Sequence, residues 1–157
     1  MNNFYNFISQ ITDNIYISSI DEASNINILR KHNITYVLNC SDLSNNVAKY
    51  TNIKYLFLNL IDQPEYSNLL IKKLPCAHEF IDDAIKNNAK IVVHCQAGVS
   101  RSVSVVIAYL AKTYNWDIGE AFLYVSKYRS IADPNLGFYE ALIKWKKNLD
   151  NEKIYAK

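Results

Sequence analysis

Cysteine, glycine and proline are scarce in this sequence, with three residues of each among 157. Three cysteines without paired spacing argue against a disulfide framework and against a zinc site. Free thiols of this kind suit a reducing compartment. Low-complexity tracts, linkers and internal repeats are also missing. Half of the residues are apolar and 13% are aromatic, so we expect an ordered, packed chain and not a disordered one.

A surplus of charge is missing as well. Seventeen Lys and Arg residues face fifteen Asp and Glu residues, which leaves a net charge of +2. This balance is too small to suggest a nucleic-acid partner. No apolar run approaches membrane-spanning length, and the opening MNNFYNFISQ lacks the basic and apolar regions of a signal peptide. We therefore expect an intracellular protein without a membrane partner. The cytoplasm is the expected location, and the nucleus is the alternative. We also expect a monomer.

Short β-rich runs alternate with helical patterns along the chain. Strands are predicted at 15–18, 34–39 and 53–58, and a helix that Asp21 could cap at 21–32. Further helices are marked by apolar residues at helical spacing: Leu70, Leu74, Ala77, Ile81 and Ala84 in one, 118–129 in the next, and Phe138, Leu142 and Trp145 in the last. Pro75 is expected to kink its helix or to start its main part. This alternation predicts an α/β fold with a mainly parallel central sheet, as one domain over residues 1–157.

The most informative stretch runs from Ile91 to Lys112. Ile91, Val92 and Val93 predict a buried strand, and the apolar run from Val103 to Ala111 predicts a buried central helix. A strand-to-helix loop directs backbone N–H groups and the positive end of the helix dipole at one spot, so it favours an anion. Cys95 begins this loop and Arg101 closes it. A thiol there gains nucleophilic thiolate character, and the guanidinium can grip two phosphate oxygens.

The segment HCQAGVSRS fits the HCxxGxxR[ST] signature of cysteine-dependent protein phosphatases, and its AGVSRS core resembles the dual-specificity branch. DNIYISS, YVLNCS, AHEFIDDAI and IADPNLGFYEAL look like further landmarks of that family, so the resemblance covers about residues 9–147. It implies a catalytic domain of the small atypical subgroup, with a mostly parallel sheet of about five strands and helices on both sides. The alternative, an inert buried cysteine in a strand–helix joint, leaves Arg101 at a core boundary unexplained.

The resemblance also implies roles for residues of the loop. Cys95 would be the nucleophile and form a phospho-cysteine intermediate. Ser102 would bond the Cys95 sulfur and help the thiolate leave, although a plain helix N-terminal serine is equally common. His94 would order the loop through hydrogen bonds. The transferring phosphate oxygens would be held by Arg101 and by the backbone N–H groups of Gln96, Ala97, Gly98, Val99, Ser100 and Arg101.

A general acid is expected on a loop elsewhere in the chain. Asp62, after the strand at 53–58, matches the position of the family acid, and Glu65 in the same loop is the alternative. Either carboxylate could instead be a solvated loop residue. Asn135 matches the family's PN element, whose asparagine supports the phosphate loop; it could equally cap the last helix. No metal-ligand constellation and no cofactor are expected.

Departures from the family pattern narrow the range of expected substrates. The loop carries neither Lys nor His beside Arg101, whereas phosphoinositide and RNA 5′-triphosphate phosphatases of the superfamily often carry such residues. Arg129 is a single arginine in KYRSI, where relatives often have two basic residues, which leaves a secondary anion contact open. Cys40 and Cys76 are expected in the core. Because Cys40 ends a parallel strand, a disulfide with an oxidised Cys95 is an alternative to two unrelated thiols.

The leading hypothesis is a metal-independent protein phosphatase acting on phosphotyrosine and phosphoserine/threonine in signalling proteins. No longer phosphotyrosine-recognition loop is evident, so a shallow pocket that admits both substrate types is expected. One alternative is a phosphatase for lipid or nucleotide phosphates. Another is a phosphoprotein-binding module without turnover, although such modules usually lose the cysteine or the arginine.

Overall fold

The computed structural model describes residues 7–43 and 52–156, so residues 1–6, 44–51 and 157 lie outside it. Within these described ranges, five strands form one sheet in the order β1-β2-β5-β3-β4. They are β1 Ser9–Gln10, β2 Ile15–Ser18, β3 Ile34–Asn39, β4 Lys54–Phe57 and β5 Lys90–His94. β1 is antiparallel to β2, and β2, β5, β3 and β4 pair in parallel. The expected mostly parallel sheet is confirmed, with β5 between β2 and β3.

In the described part of the chain, six α-helices connect and cover the strands. They are α1 Ile20–Ala23, α2 Ile26–Lys31, α3 Ser67–Lys86, α4 Arg101–Tyr114, α5 Ile118–Tyr128 and α6 Leu136–Tyr155. The prediction of one helix over 21–32 is wrong. Ser19 caps α1 in a capping box with Glu22, and the side chain of Asn25 then accepts the N–H groups of residues 27 and 28. These two caps start separate short helices.

The sheet has an apolar core on each face. The larger core includes Leu38, Ile91 and Val93 and packs against α3, α4, α5 and α6. The smaller core includes Val37 and Val92 and packs beneath α1 and α2. Successive residues of a strand point to opposite faces, which explains how Val92 and Val93 serve different cores. Helices on both sides of the sheet are thus confirmed, and α4 is buried throughout residues 101–111.

Helix α3 follows its predicted core face. Leu70, Leu74, Ala77, Ile81 and Ala84 are all buried. The helix begins at Ser67 and continues through Pro75, so this proline does not start it. Cys76 is exposed, and its thiol donates to the carbonyl of Lys73 at 3.1 Å. The expectation that Cys76 lies in the core is therefore wrong, because the core stripe passes through its neighbour Ala77 instead. Among the helices of the described chain, none has the length and apolar character that crossing a bilayer requires.

Two buried histidines make stability depend on pH. His78 lies between the rings of Tyr109 and Trp145, at centroid distances of 5.5 and 6.0 Å, and His94 is fully buried. Burial lowers the pKa of both imidazoles to about 4. In the unfolded chain their pKa is about 6.5. The unfolded state therefore takes up protons first, and stability present above pH 6.5 is lost as pH falls towards 4.

The lowered pKa of each histidine should reduce the free energy of unfolding by on the order of 3 kcal/mol as the pH falls from 7.5 to 4. Urea unfolding at several pH values, compared between the wild type and His78→Phe, measures one of these contributions. The variant should lose less stability than the wild type over this range by about that amount. An identical pH dependence of the two proteins would show that the folded state holds a protonated His78.

Candidate active site

The loop of residues 95–100 joins the central strand β5 to helix α4, at the carboxyl edge of the parallel strands. Ligands of open α/β sheets bind at this edge. Gly98 has a φ of +69°, and a Cβ atom on it would lie 2.5 Å from the carbonyl oxygen of Ser18 and 2.5 Å from Nη2 of Arg129. The loop therefore needs glycine there, both for backbone conformation and for space.

Cys95 is buried at the start of this loop, with 2% of its surface exposed. Its Sγ lies 3.2 Å from Oγ of Ser102 and accepts the N–H of Gly98 at 3.3 Å. Burial alone would raise the pKa of this thiol. Hydrogen bonds from Ser102 and from the N–H of Val99, together with the charge of Arg101, outweigh burial and bring the pKa of Cys95 below its ordinary value. The loop thus favours a thiolate.

Arg101 lies at the first position of α4, and 6% of its surface is exposed. Its Nη1 donates to Oδ1 of Asp42 at 2.8 Å and to the carbonyl of Leu60 at 3.0 Å. Its Nε is buried and makes no hydrogen bond to any described residue. An unsatisfied buried donor is costly, and an oxyanion over the loop would satisfy it. Sequence reasoning missed Asp42; its signal was an acidic residue just after the carboxyl end of β3.

Asp62 and Asn135 meet beside the loop. Nδ2 of Asn135 donates to Oδ1 of Asp62 at 2.8 Å, and the backbone N–H of Asn135 donates to Oγ of Ser100 at 2.9 Å. Oδ1 of Asn135 also accepts the N–H of Phe138 at 2.9 Å and caps α6. Asn135 thus caps α6 and is also bonded to Ser100 of the loop and to Asp62. A cleft of about 510 Å³ extends from here and is lined by residues that include Asp62, Val99 and Ser100.

Glu65, the alternative acid, lies in a short 3₁₀ helix, Pro64–Tyr66, and is exposed. This helix packs closely against the start of α6, since a Cβ atom on Gly137 would lie 2.5 Å from Cβ of Pro64. The contact fixes the segment that carries Asp62 against the helix capped by Asn135. Asp62 differs from Glu65 in its hydrogen bond to Asn135, because Asn135 is also bonded to Ser100 and so connects Asp62 to the loop.

His94 ends β5, and its Nδ1 lies 3.1 Å from the carbonyl oxygen of Cys95. A ring nitrogen facing a carbonyl is assigned as the donor, which fixes the tautomer. Because the pKa of His94 is about 4, the ring is neutral near pH 7. This contact joins the ring to the backbone at the start of the loop. The sequence left undecided whether Arg129 makes a second contact to a bound anion. In the structure its side chain is fully buried behind the loop.

Cys40 lies beside Cys95 on the neighbouring strand. Asn39 pairs with His94 in the register of β3 and β5, and the N–H of Cys40 donates to the carbonyl of His94 at 2.7 Å. Both cysteines belong to the larger core, so both face the same side of the sheet. Burial raises the pKa of the Cys40 thiol, and a negative charge on Cys95 raises it further. The surroundings therefore favour the neutral thiol at Cys40 and the thiolate at Cys95.

We expect mild peroxide to join these two cysteines. The Cys95 thiolate attacks the peroxide and becomes a sulfenic acid; the Cys40 thiol then displaces the oxygen as water and forms the disulfide. Peptide mapping without reductant should find Cys40 linked to Cys95, while the exposed Cys76 stays unlinked. In Cys40→Ser the oxidation of Cys95 should proceed to the sulfinic acid, which a thiol reductant does not reverse. Equal rates of irreversible inactivation in the two proteins would contradict this expectation.

The site therefore combines a buried thiol of lowered pKa, a guanidinium, the N–H groups of a helix N-terminus and a carboxyl group at its rim. Such a set can bind a tetrahedral oxyanion and attack it. Within residues 7–43 and 52–156, no group of three His, Cys, Asp or Glu side chains is arranged as metal ligands. The structure brings together every candidate from the sequence except Glu65: Cys95, the loop residues 96–100, Arg101, Ser102, His94, Asp62 and Asn135.

The sequence was compared with protein-family models and with known proteins, and both comparisons match phosphatases. The family model described as "Dual specificity phosphatase, catalytic domain" matches residues 15–148. Human dual specificity protein phosphatase 9 is 34% identical over 151 residues, which cover 96% of this chain and 39% of that protein. Dual specificity protein phosphatase 1 of Arabidopsis thaliana is 33% identical over 144 residues, covering 92% of this chain and 71% of that protein.

Solved structures agree in fold. The crystal structure of human DUSP28 matches with a TM-score of 0.82 at 24% identity, covering 91% of this chain and 95% of that chain. The present chain spans well under half the length of human dual specificity protein phosphatase 9. The match to the family model nevertheless extends over most of the chain described here. This chain belongs to the dual specificity phosphatase catalytic-domain family.

Proposed function

We propose that this chain is a metal-independent protein phosphatase that hydrolyses phosphotyrosine and phosphoserine/threonine through a phospho-cysteine on Cys95. The observation that carries the proposal is the pairing of a thiol whose pKa is lowered with an arginine whose buried Nε has no described partner. A phosphate group would satisfy that donor and present its phosphorus to the sulfur. Phosphoproteins are accordingly the proposed substrates, and residues 9–147 the proposed catalytic unit.

In the first step the Cys95 thiolate attacks phosphorus, and the bond from phosphorus to the substrate oxygen breaks. Arg101 and the N–H groups of residues 96–101 hold the three non-bridging oxygens, where negative charge is concentrated in the transition state. Asp62 gives its proton to the departing oxygen, which leaves as the hydroxyl of the dephosphorylated side chain. The exposed position of Asp62 at the rim suits a group that must reach the substrate oxygen.

In the second step water attacks the phospho-cysteine. Asp62, now a carboxylate, takes a proton from that water, and the phosphorus–sulfur bond breaks to release inorganic phosphate. The departing sulfur carries negative charge, and the Ser102 hydroxyl, 3.2 Å away, donates to it. His94 and Asn135 act indirectly: His94 holds the backbone of Cys95, and Asn135 links Asp62 to Ser100.

The alternatives are less well supported. A lipid or nucleotide phosphatase would need cations for additional phosphates, but the loop side chains of Gln96, Ala97, Val99 and Ser100 are uncharged. A non-catalytic phosphoprotein-binding module would not need a lowered pKa at Cys95. It would also not need a carboxylate linked to the loop through Asn135.

Hydrolysis of p-nitrophenyl phosphate in the presence of EDTA separates the enzyme from the binding module. We expect full activity in the chelator, because the thiolate and the arginine supply the nucleophile and the charge stabilisation. Loss of activity in EDTA that a divalent ion restores would contradict the mechanism. A panel of phosphopeptides and phosphoinositides, compared by kcat/KM, then tests the substrate class; preference for phosphoinositides would overturn the assignment to phosphoproteins.

A further inference from the structure

Arg129 follows the last residue of α5, and its side chain is fully buried behind the loop of residues 95–100. Its guanidinium donates to two loop carbonyls, through Nε to Gly98 at 2.6 Å and through Nη2 to Ala97 at 3.3 Å. Nη1 donates to the edge of the sheet instead, to the carbonyls of Phe7 at 2.9 Å and Ile17 at 3.4 Å and to the hydroxyl of Ser9 at 2.9 Å. One side chain therefore joins the loop to β1 and β2.

The two loop carbonyls belong to the peptide units that face Cys95. In a planar trans peptide the C=O and N–H groups point in opposite directions. With the carbonyl of Ala97 turned to Arg129, the N–H of Gly98 points to the other side, where it donates to Sγ of Cys95 at 3.3 Å. With the carbonyl of Gly98 turned the same way, the N–H of Val99 also points towards Cys95.

A buried guanidinium is costly unless it is well paired, and here most of its partners are neutral carbonyls. Burial lowers the pKa of Arg129, whereas the charges of Glu22 and of the Cys95 thiolate raise it. The cation thus lies behind the loop and the thiolate in front of it. The attraction is mutual, so the thiolate is stabilised as well. Gly98 admits this arrangement because any Cβ there would meet Nη2 of Arg129 at 2.5 Å.

We propose that Arg129 is a positioning residue of the active site. It holds two peptide units of the loop with their N–H groups directed at Cys95 and at the phosphate oxygens, and its charge adds to the positive potential of the loop. This inference rests on the proposed function of the loop as a phosphate site. It assigns Arg129 a role behind the loop, without contact to the substrate.

Three variants test the inference: Arg129→Met, Arg129→Lys and, as a control, Lys146→Met. Lys146 is also a buried cation, 5% exposed, but it pairs with Asp150 at 2.7 Å on α6. Its replacement should therefore reduce stability without changing the loop. Two readouts do not depend on turnover: the pH dependence of Cys95 alkylation by iodoacetamide, and protection from alkylation by inorganic phosphate or orthovanadate.

Arg129→Met should shift the alkylation profile of Cys95 to higher pH and weaken protection by either anion about 10- to 100-fold, because two charge-assisted bonds that orient the loop are lost. Arg129→Lys keeps the charge but cannot reach both carbonyls and Ser9 together, so its shifts should have the same direction and be smaller. Lys146→Met should match the wild type in both readouts. If Arg129→Met does not fold, Arg129→Lys decides the question.

Wild-type alkylation and anion protection in a folded Arg129 variant, with only a loss of stability like that of Lys146→Met, would overturn the inference. These readouts also separate it from the proposed function. A wild-type protein without turnover would refute the phosphatase, while the shift of Cys95 reactivity between the wild type and the Arg129 variants would still decide whether Arg129 positions the loop.

Discussion

Replacing Cys95 by serine should reduce turnover by at least about 10⁴-fold while the fold and the binding of inorganic phosphate remain. Serine is nearly isosteric with cysteine but does not ionise near neutral pH, whereas this loop lowers the pKa of the thiol. The donors that would hold phosphate, Arg101 and the loop N–H groups, are unchanged in the variant. Single-turnover hydrolysis of a phosphopeptide and titration with inorganic phosphate measure the two properties separately.

Cys76→Ser is the matched control for this variant. Cys76 is exposed on α3 and bonds only to the carbonyl of Lys73 among the described residues, so its replacement should leave activity within about twofold of the wild type. More than a trace of activity in Cys95→Ser would remove Cys95 from its proposed role. Loss of phosphate binding together with turnover would instead mean that the thiolate is needed to form the anion site.

Replacing Asp62 by asparagine should cause the second large loss, on the order of 10²–10⁴-fold for phosphoserine substrates. A serine alkoxide is a poor leaving group, so it needs the proton that Asp62 supplies. An aryl phosphate with an activated leaving group should lose little. Hydrolysis of a phosphoserine peptide and of an aryl phosphate, compared by kcat/KM between the wild type and Asp62→Asn, measures this difference.

Glu65→Gln is the control for the acid. Glu65 lies in the same segment and is also exposed, but only Asp62 is bonded to Asn135. The control should retain the wild-type preference between substrates. Equal losses of Asp62→Asn on phosphoserine and aryl phosphate, or a larger loss in Glu65→Gln, would assign the proton donor to another group.

The centre of this site was predictable because its residues are close together in sequence. The strand before Cys95, the glycine in the loop and the arginine at the start of α4 are fixed by local spacing and local propensity. Asp62 and Asn135 were found only through the resemblance to a family, since their mutual bond joins residues far apart in the chain. A pattern of residue types along the chain does not report such a contact.

Other features could not be predicted because they depend on how the elements pack. Arg129 carries no local signal for its contact with the loop, which forms only when α5 is in place beside it. Asp42 is marked only by its position after β3, and its bond to Arg101 depends on the packing of β3 beside the loop. The break between α1 and α2 follows from one cap at Asn25, which the apolar pattern did not reveal. Cys76 was misplaced because one residue along a helix turns a side chain from core to solvent.

The most direct test of the mechanism is to look for phosphate on Cys95 during turnover. Ser102→Ala should slow the second step, because the departing sulfur loses its hydroxyl donor at 3.2 Å, so the intermediate should accumulate. Rapid denaturation after mixing with a phosphopeptide, followed by mass analysis of the peptide that contains Cys95, should find phosphate on its sulfur, and none in Cys95→Ser. Turnover without phosphate on Cys95, or with phosphate on another side chain, would contradict the mechanism.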